Sequence, residues 1–472
     1  MTQLVWFRTD LRLEDQPAVM AARSSGPALG LYIVSTQQWH AHDDAPVKLD
    51  LWRRALIDLQ PRLAQCGVAL KILRVDHWKD VPQALLEFCV SMGVDVVHCN
   101  REQGIHERTR DRAAFALLKA NDIQMIGHDG QTLFEPGSLK TGAGDTYRVF
   151  SPFARACRTK LRASAALPLP APTPLKLPPT MQPDSIEKVW PDSLPSLSEH
   201  WPANHAAVRQ RLADFVASAI DAYDTARDFP AQPGTSRLSP YLAAGLISPR
   251  QCLHAAQQAN GGEIETGIPG VGVWINELLW REFYWHLLHG YPKLSMHRPL
   301  RDQTEAVRWR DAPEDYSAWC DAKTGIPIVD AAMRQIRDTG WMHNRLRMIV
   351  AMFFTKNLLL DWRHGEKFFM QHLIDGELAA NNGGWQWSAS TGADSAPYFR
   401  VFNPVSQSQK FDPRGDFIRH WVPELSRLDG KSIHDPTPEQ RRACAYPQAI
   451  VDLKSSRLRA IEAFKRLSIT EE

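Results

Sequence analysis

The feature that most constrains this chain is an alternation of two textures in its first 135 residues. LVWF (4–7), ALGLYIV (28–34), VALKILRV (68–75) and VDVVHC (94–99) are short aliphatic or β-branched runs. They have the length and composition of strands buried on both faces. Helical patterns lie between them. Leu49, Trp52, Leu56, Leu59 and Leu63 step by three and four, an apolar stripe that ends near Gly67. Pro61 falls inside the stripe and predicts a kink or a break there. Strands alternating with helices at this spacing imply a parallel sheet flanked by helices, a Rossmann-like α/β domain over 1–135. No GxGxxG follows the first strand, so the dinucleotide fingerprint is absent.

The texture then changes twice. Residues 136–203 form a connecting segment whose second part, from AALPLPAPTPLKLPPT onward, is rich in proline. Proline interrupts helices and is excluded from central strands, so this reads as an extended linker, packed over the surface or mobile. After residue 204 the strand texture disappears. HAAVRQRLADFVASAI, GVWINELLWREFYWHLLHG, GIPIVDAAMRQIRDTG and RLRMIVAMFFTKNLLLDW all read as helices, with Gly290 and Gly340 as stops. The expectation is an all-α domain over 204–472.

Bulk properties exclude several classes. Among 472 residues, 44% are hydrophobic and 23% charged, as in ordinary soluble proteins. The net charge of +2 creates no overall field that demands nucleic acid, although a local basic patch is independent of it. No apolar run reaches the length of a membrane span, and MTQLVWFRTDLRL lacks the apolar region of a secretory signal. The seven Cys are scattered without a CxxC pair. That fits a reducing cytoplasm and argues against a disulfide framework or a zinc site, so no metal is expected.

Four stretches carry candidate chemistry. GTSRLSPYLAAG (234–245) sets hydroxyls, a glycine and Arg237 ahead of a helix-compatible run. Such a start can hold phosphate, and equally can be an ordinary Ser/Thr cap. In WINELLWREFYW, Trp274, Glu277, Arg281 and Tyr284 share one helical face bordered by Trp280. A core stripe does not need those charges, and a solvated face does not want those Trp residues. The face suits a cleft floor that stacks flat rings and hydrogen-bonds their edges, or a Glu–Arg pair on a half-buried helix. WMHNRLRM (341–348) puts Asn344, Arg347 and Met348 on one face and points Arg345 elsewhere, toward solvent or a phosphate. DGELAANNGGWQW (375–387) reads as two carboxylates, an Asn/Gly turn and two Trp. Asn offers both donor and acceptor to a heteroaromatic edge, and the glycines let backbone approach a ligand.

Together with VWFRTDLRLEDQPA, DWRHGEKFF and STGADSAPYFRVFNP, these motifs resemble the DNA photolyases and cryptochromes, in order and over nearly the whole chain. The resemblance implies an α/β antenna domain and an all-helical FAD domain, with one FAD per chain. It places FAD contacts at Tyr223, Thr235, Ser236, Arg237, Leu238, Ser239, Trp274, Glu277, Arg281, Trp341, Asn344, Arg347, Asp375, Gly376, Glu377 and Asn381. Glu377 departs from the Asp of many relatives but keeps the carboxylate. Trp385, Trp362 and Trp309 match the family's electron-transfer chain, from flavin to surface.

Asn381 matches the residue facing flavin N5, and its identity resembles that of photolyases acting on cyclobutane pyrimidine dimers. His343 followed by Asn344 lacks the His pair of the (6–4) enzymes, and Met348 stands where DASH-type relatives carry Gln. The chain also stops at RLSITEE without a long disordered tail. The implied activity is light-driven dimer repair in duplex DNA, by electron transfer from excited FADH⁻ to a flipped-out dimer. A blue-light receptor that signals to a protein partner is the alternative. Glu277, Asn381, Trp280, Trp387 and Met348 would be catalytic. Arg227, Glu277, Trp280, Arg281, Tyr284, Asn344, Arg345, Arg400 and Gln407 would contact DNA. His106 and Glu107 align with an antenna site for 5,10-methenyltetrahydrofolate. Met296 replaces a lysine of that site, which leaves a deazaflavin or no antenna as alternatives. A cytoplasmic, nucleoid-associated bacterial monomer is expected.

Overall fold

The computed structural model describes residues 1–469 other than 164–165, 188 and 191–193. The chain divides into two compact units. The first comprises Met1–Asp221, Ser236–Ser295 and Ile374–Glu377, and the second Ala222–Thr235, Met296–Leu373 and Leu378–Glu472.

In the first unit, β1 (Thr2–Phe7), β2 (Ala28–Val34), β3 (Val68–Arg74), β4 (Val94–Asn100) and β5 (Gln124–His128) form one sheet in the order β3-β2-β1-β4-β5. Every pairing is parallel. The four strands expected from sequence are present, and β5 is an addition. QMIGH has no continuous apolar run, because an edge strand is half exposed and needs none. Leu4, Leu29, Leu31 and Val97 are at most 1% exposed in the core. Each such side chain contributes roughly 1.5–3 kcal/mol. Pro46–Gln65 is one helix and runs through Pro61, so of the expected kink or break the break does not occur. The proline sits about one turn from the helix end, and Ile57, whose carbonyl loses its N–H partner, is 41% exposed at the surface.

The described part of the Pro-rich segment is packed rather than loose. Leu175 bridges to Cys66, and Trp190 and Trp201 are buried. Asp184 accepts from Lys71 Nζ at 2.9 Å and from the Ile72 N–H at 3.0 Å. Long helices complete the unit, notably Pro269–Gly290. There the Glu282 carboxylate caps the N–H groups of Leu133 and Phe134 at 2.9 and 3.0 Å.

No strand occurs among the described residues of the second unit, whose regular elements are helices. Pro327–Thr339, Asn344–Met352, Trp362–His372 and Leu378–Ala389 pack around one apolar cluster containing Trp319, Trp362 and Trp385. Two local expectations fail here. RLRMIVAMFFTKNLLLDW is not one helix: it loosens into a π turn at Phe353–Asn357 and stops, with Leu359 at φ +53. The NNGG stretch is not a turn either. Asn381–Gly384 lie inside Leu378–Ala389, because packing against Trp362–His372 overrides the poor helix propensity of Asn and Gly. An α/β region followed by an all-helical one is thus the architecture. The last three residues of the expected short tail, 470–472, lie outside the described residues.

Candidate functional site

In the first unit, the helix Pro269–Gly290 carries the polar–aromatic stripe. Trp274 is buried, while Glu277, Trp280, Arg281 and Tyr284 are half-buried. The Trp280 ring stacks on Phe150 at 3.8 Å and 6°, and leans on Tyr284 at 5.7 Å. Phe150, which backs Trp280, was not visible as a partner from sequence. Arg281 Nη2 donates to Glu377 Oε1 at 2.6 Å, and Nη1 to the Gln131 carbonyl at 2.8 Å. The guanidinium also lies 5.0 Å over Trp285. Arg281 is therefore an arm that fixes the Asp375–Gly376–Glu377 stretch. Lys48 holds the same stretch, donating to the Gly376 carbonyl at 2.6 Å and to Asp44 at 2.5 Å. Its distance in sequence hid that role.

The 234–239 segment is a tight loop. A Cβ on Gly234 would lie 2.7 Å from the Ala226 carbonyl oxygen, so only glycine fits. Arg237 is exposed in the left-handed region, φ +50. Thr235 and Ser236 are half-buried, Leu238 is buried, and Ser239 is exposed at the start of Ser239–Ala243.

In the second unit, Arg345, expected to point toward solvent or a phosphate, is turned onto protein groups. Its Nη2 pairs with Asp228 at 2.8 Å, its guanidinium covers Phe411 at 4.4 Å, and Nη1 reaches Met348 Sδ at 3.8 Å. Arg227 lies 5.9 Å over Tyr223. His343 caps the Asn344–Met352 helix, its Nδ1 accepting from the Arg345 N–H at 3.2 Å. Asn344 is exposed, Arg347 donates to the Met342 carbonyl at 2.8 Å, and Trp341 is buried. Arg400 is exposed and Gln407 half-buried.

Helix Leu378–Ala389 organises the rest of this unit. Asn381 and Gly384, three apart, share a face. A Cβ added to Gly384 would meet nothing within 4 Å among the described residues. That open face beside a side-chain amide suits a flat heteroaromatic ring. Trp385 is 2% exposed, and its ring lies against Gly365, where a Cβ would come within 2.2 Å. Trp385 Nε1–H is buried without an acceptor among the described residues. Trp362 is buried in the same cluster, and half-buried Trp309 packs against it. Trp319, not singled out from sequence, stands edge-on to Trp385 at 6.2 Å and 75°. Trp387 is half-buried.

His106 and Glu107 open the helix Ile105–Lys119, just beyond the C-terminal end of β4. That edge, where the strand order reverses around β1, is where ligands lie in sheets of this kind. His106 is exposed, 5.1 Å from the ring of His42, which is itself edge-on to Trp78 at 4.7 Å. Burial, and then the charge of Glu102, push the Glu107 carboxyl above the usual range. Met296 is exposed. No helix is long and apolar enough to cross a membrane, among the described residues.

Residues 3–174 match the DNA photolyase family, and residues 274–466 match the FAD binding domain of DNA photolyase. A deoxyribodipyrimidine photo-lyase of Vibrio cholerae is 42% identical, covering 98% of this chain and 99% of its own. The protein of the same name from Escherichia coli is 43% identical, covering 98% of each. Among solved structures, a class III photolyase from Agrobacterium tumefaciens superposes with a TM-score of 0.86 at 35% identity, covering 99% of this chain and 98% of its own. A Synechocystis cryptochrome gives 0.85 at 25% identity, over 98% and 99%.

Proposed function

This chain belongs to the DNA photolyase family, and from that membership we propose that it is a deoxyribodipyrimidine photo-lyase, repairing cyclobutane pyrimidine dimers in DNA with light and FAD. The full-length match to photo-lyases carries this reading. The residues fit the cofactor: the helix face at Gly384 is open beside the Asn381 amide, and the Arg281 guanidinium holds the Glu377 carboxylate. When bound and fully reduced, FAD would supply light-driven electron donation, which opens the two C–C bonds of the dimer and returns the electron.

The residues divide the remaining work. By resemblance, the FAD contacts would be Tyr223, Thr235, Ser236, Arg237, Leu238, Ser239, Trp274, Glu277, Arg281, Trp341, Asn344, Arg347, Asp375, Gly376, Glu377 and Asn381. Glu277 hydrogen-bonds the pyrimidine edge. Trp280, held flat by Phe150, offers a face to a base, and Trp387 offers another. Met348, placed by Arg345, packs against the cyclobutane. Photolyases are an established case of base flipping, in which a poorly stacked lesion costs less to extrude.

Arg227, Arg345, Arg400 and Gln407 hold the DNA backbone, and Arg281, Tyr284 and Asn344 also contact the DNA. Arg345 must then share its guanidinium between Asp228 and phosphate. Trp309, Trp362 and Trp385 would carry electrons inward toward the bound flavin. The functional division follows 1–135, 136–203 and 204–472. The protein works as a cytoplasmic, nucleoid-associated monomer. A receptor role is not favoured, because Asn381 and Met348 match the repair branch.

His106 and Glu107, joined by His42, bind a folate antenna. A Glu107 carboxyl held partly protonated near neutrality can both donate to and accept from a pterin edge. An absorption spectrum of the purified protein tests the cofactors. Flavin bands and a separate near-ultraviolet antenna band are expected. A spectrum without flavin would refute the flavoenzyme reading, and flavin alone would refute the folate assignment.

A further inference from the structure

Asn382 had no role in the sequence, and the structure gives it one. A continuous chain of buried hydrogen bonds runs behind Asn381, and its polarity can be followed atom by atom. The Leu300 N–H can only donate, so the Gln386 oxygen that accepts from it at 2.9 Å is fixed as Oε1. Gln386 Nε2 must then face outward as donor. It reaches the Arg298 carbonyl at 3.2 Å and Asn382 Oδ1 at 2.9 Å. Asn382 is thereby oriented as well, and its Nδ2 donates to Glu366 Oε1 at 2.8 Å. Glu366 Oε2 meets His297 Nδ1 at 2.9 Å. Asn381 Nδ2 donates to the backbone carbonyl of the same Glu366 at 2.9 Å. A carbonyl can only accept, so this amide is oriented too.

Glu366, Asn382 and Gln386 are each at most 2% exposed. His297 lies at the outer end, its side chain 58% exposed. Oε1 accepts from Asn382 and Oε2 faces the His297 ring, so the buried Glu366 carboxyl is paired with that imidazole. Arg363 brings further charge to the pair. Its Nε donates to the His297 carbonyl at 2.7 Å, and its guanidinium is paired with Glu305 at 2.8 Å and Asp361 at 3.1 Å. A charge in so dry a place acts strongly on its neighbours, and Asn381 is held by the backbone carbonyl of this same residue.

We propose that Glu366, with His297 as its counter-ion, is the positioning and charge-setting residue behind Asn381, and that it sets how readily the bound flavin accepts an electron. The proposal rests on the reading of Asn381 as the residue facing the flavin. Glu366 touches no reacting atom. It orients the amide that does, and lays negative charge behind it, which disfavours adding an electron. Conservation of both hydrogen bonds and removal of the charge are separable, because glutamine can accept from Asn382 and donate to a neutral His297.

The test is a redox titration of FAD-loaded wild type, Glu366→Gln and Glu366→Asp, followed by flavin absorbance. Glu366→Gln should raise the one-electron potential, shifting the reduced-to-oxidised ratio at fixed applied potential by about tenfold, or ~59 mV. Glu366→Asp, which keeps the charge, should stay near wild type even if its melting temperature falls. An unchanged potential in a flavin-loaded Gln variant would overturn the proposal, as would equal shifts in the Gln and Asp variants. If Glu366→Gln fails to fold, His297→Gln at about pH 6, below the ordinary histidine pKa, should lower the potential, and no shift would be equally fatal. Wild type that holds no flavin would instead sink the underlying functional reading.

Discussion

Trp385→Phe is expected to stop light-driven reduction of oxidised flavin while sparing repair by enzyme reduced beforehand. The ring sits on Gly365 and meets Phe369 at 5.0 Å, Phe354 at 5.6 Å and Trp319 at 6.2 Å. Phenylalanine fits the space but is far harder to oxidise than indole, so the first electron step loses its donor. A fall of roughly a hundredfold or more, about 2.7 kcal/mol in barrier, is expected. The packing cost stays below the roughly 3–5 kcal/mol of full truncation to alanine, so the variant should fold and bind flavin. Flash photolysis of oxidised protein with an external reductant measures it. Equal rates in variant and parent would remove Trp385 from the chain. Repair fails with the rest only if the same residue serves the forward reaction, which the account denies.

Trp280→Ala should weaken binding of dimer-containing duplex far more than binding of intact duplex. Base–aromatic contact contributes roughly 1–3 kcal/mol per base, or about 5- to 150-fold in affinity. Phe150 stacks on Trp280 at 3.8 Å and loses its partner in the variant. Trp280→Phe keeps much of that contact and serves as control. Affinities must be compared at one salt concentration, because the phosphate contacts of Arg227, Arg345 and Arg400 scale with salt for both DNAs. A loss shared equally by damaged and intact duplex would assign Trp280 to the backbone rather than to the lesion.

The contrast between these two aromatics and Glu366 shows where a sequence is legible. Strand runs such as ALGLYIV announce themselves because burial on both faces demands unbroken apolar residues. β5 does not, because a half-exposed edge tolerates QMIGH. The Trp280–Arg281–Tyr284 face was legible from helical spacing alone. Partners supplied by distant residues were not. Phe150 for Trp280, Asp228 for Arg345 and Lys48 for Gly376 all arrive from elsewhere in the chain. Asn381–Gly384 misled in the other direction. Local propensity argues for a turn, whereas Glu366, Gln386 and the bed for Trp385 at Gly365 hold the segment helical. His297 and Glu366 are separated by 69 residues, and no pattern in either stretch pairs them.

The central claim is that this chain uses light and reduced flavin to reverse pyrimidine dimers. The direct measurement is to illuminate the reduced, flavin-loaded protein with duplex DNA carrying a single cyclobutane thymine dimer, and to follow recovery of intact thymine absorbance against a dark control. Complete, catalytic recovery is expected in the light and none in the dark. Unrepaired dimers in the light, with flavin reduced and the DNA demonstrably bound, would contradict it.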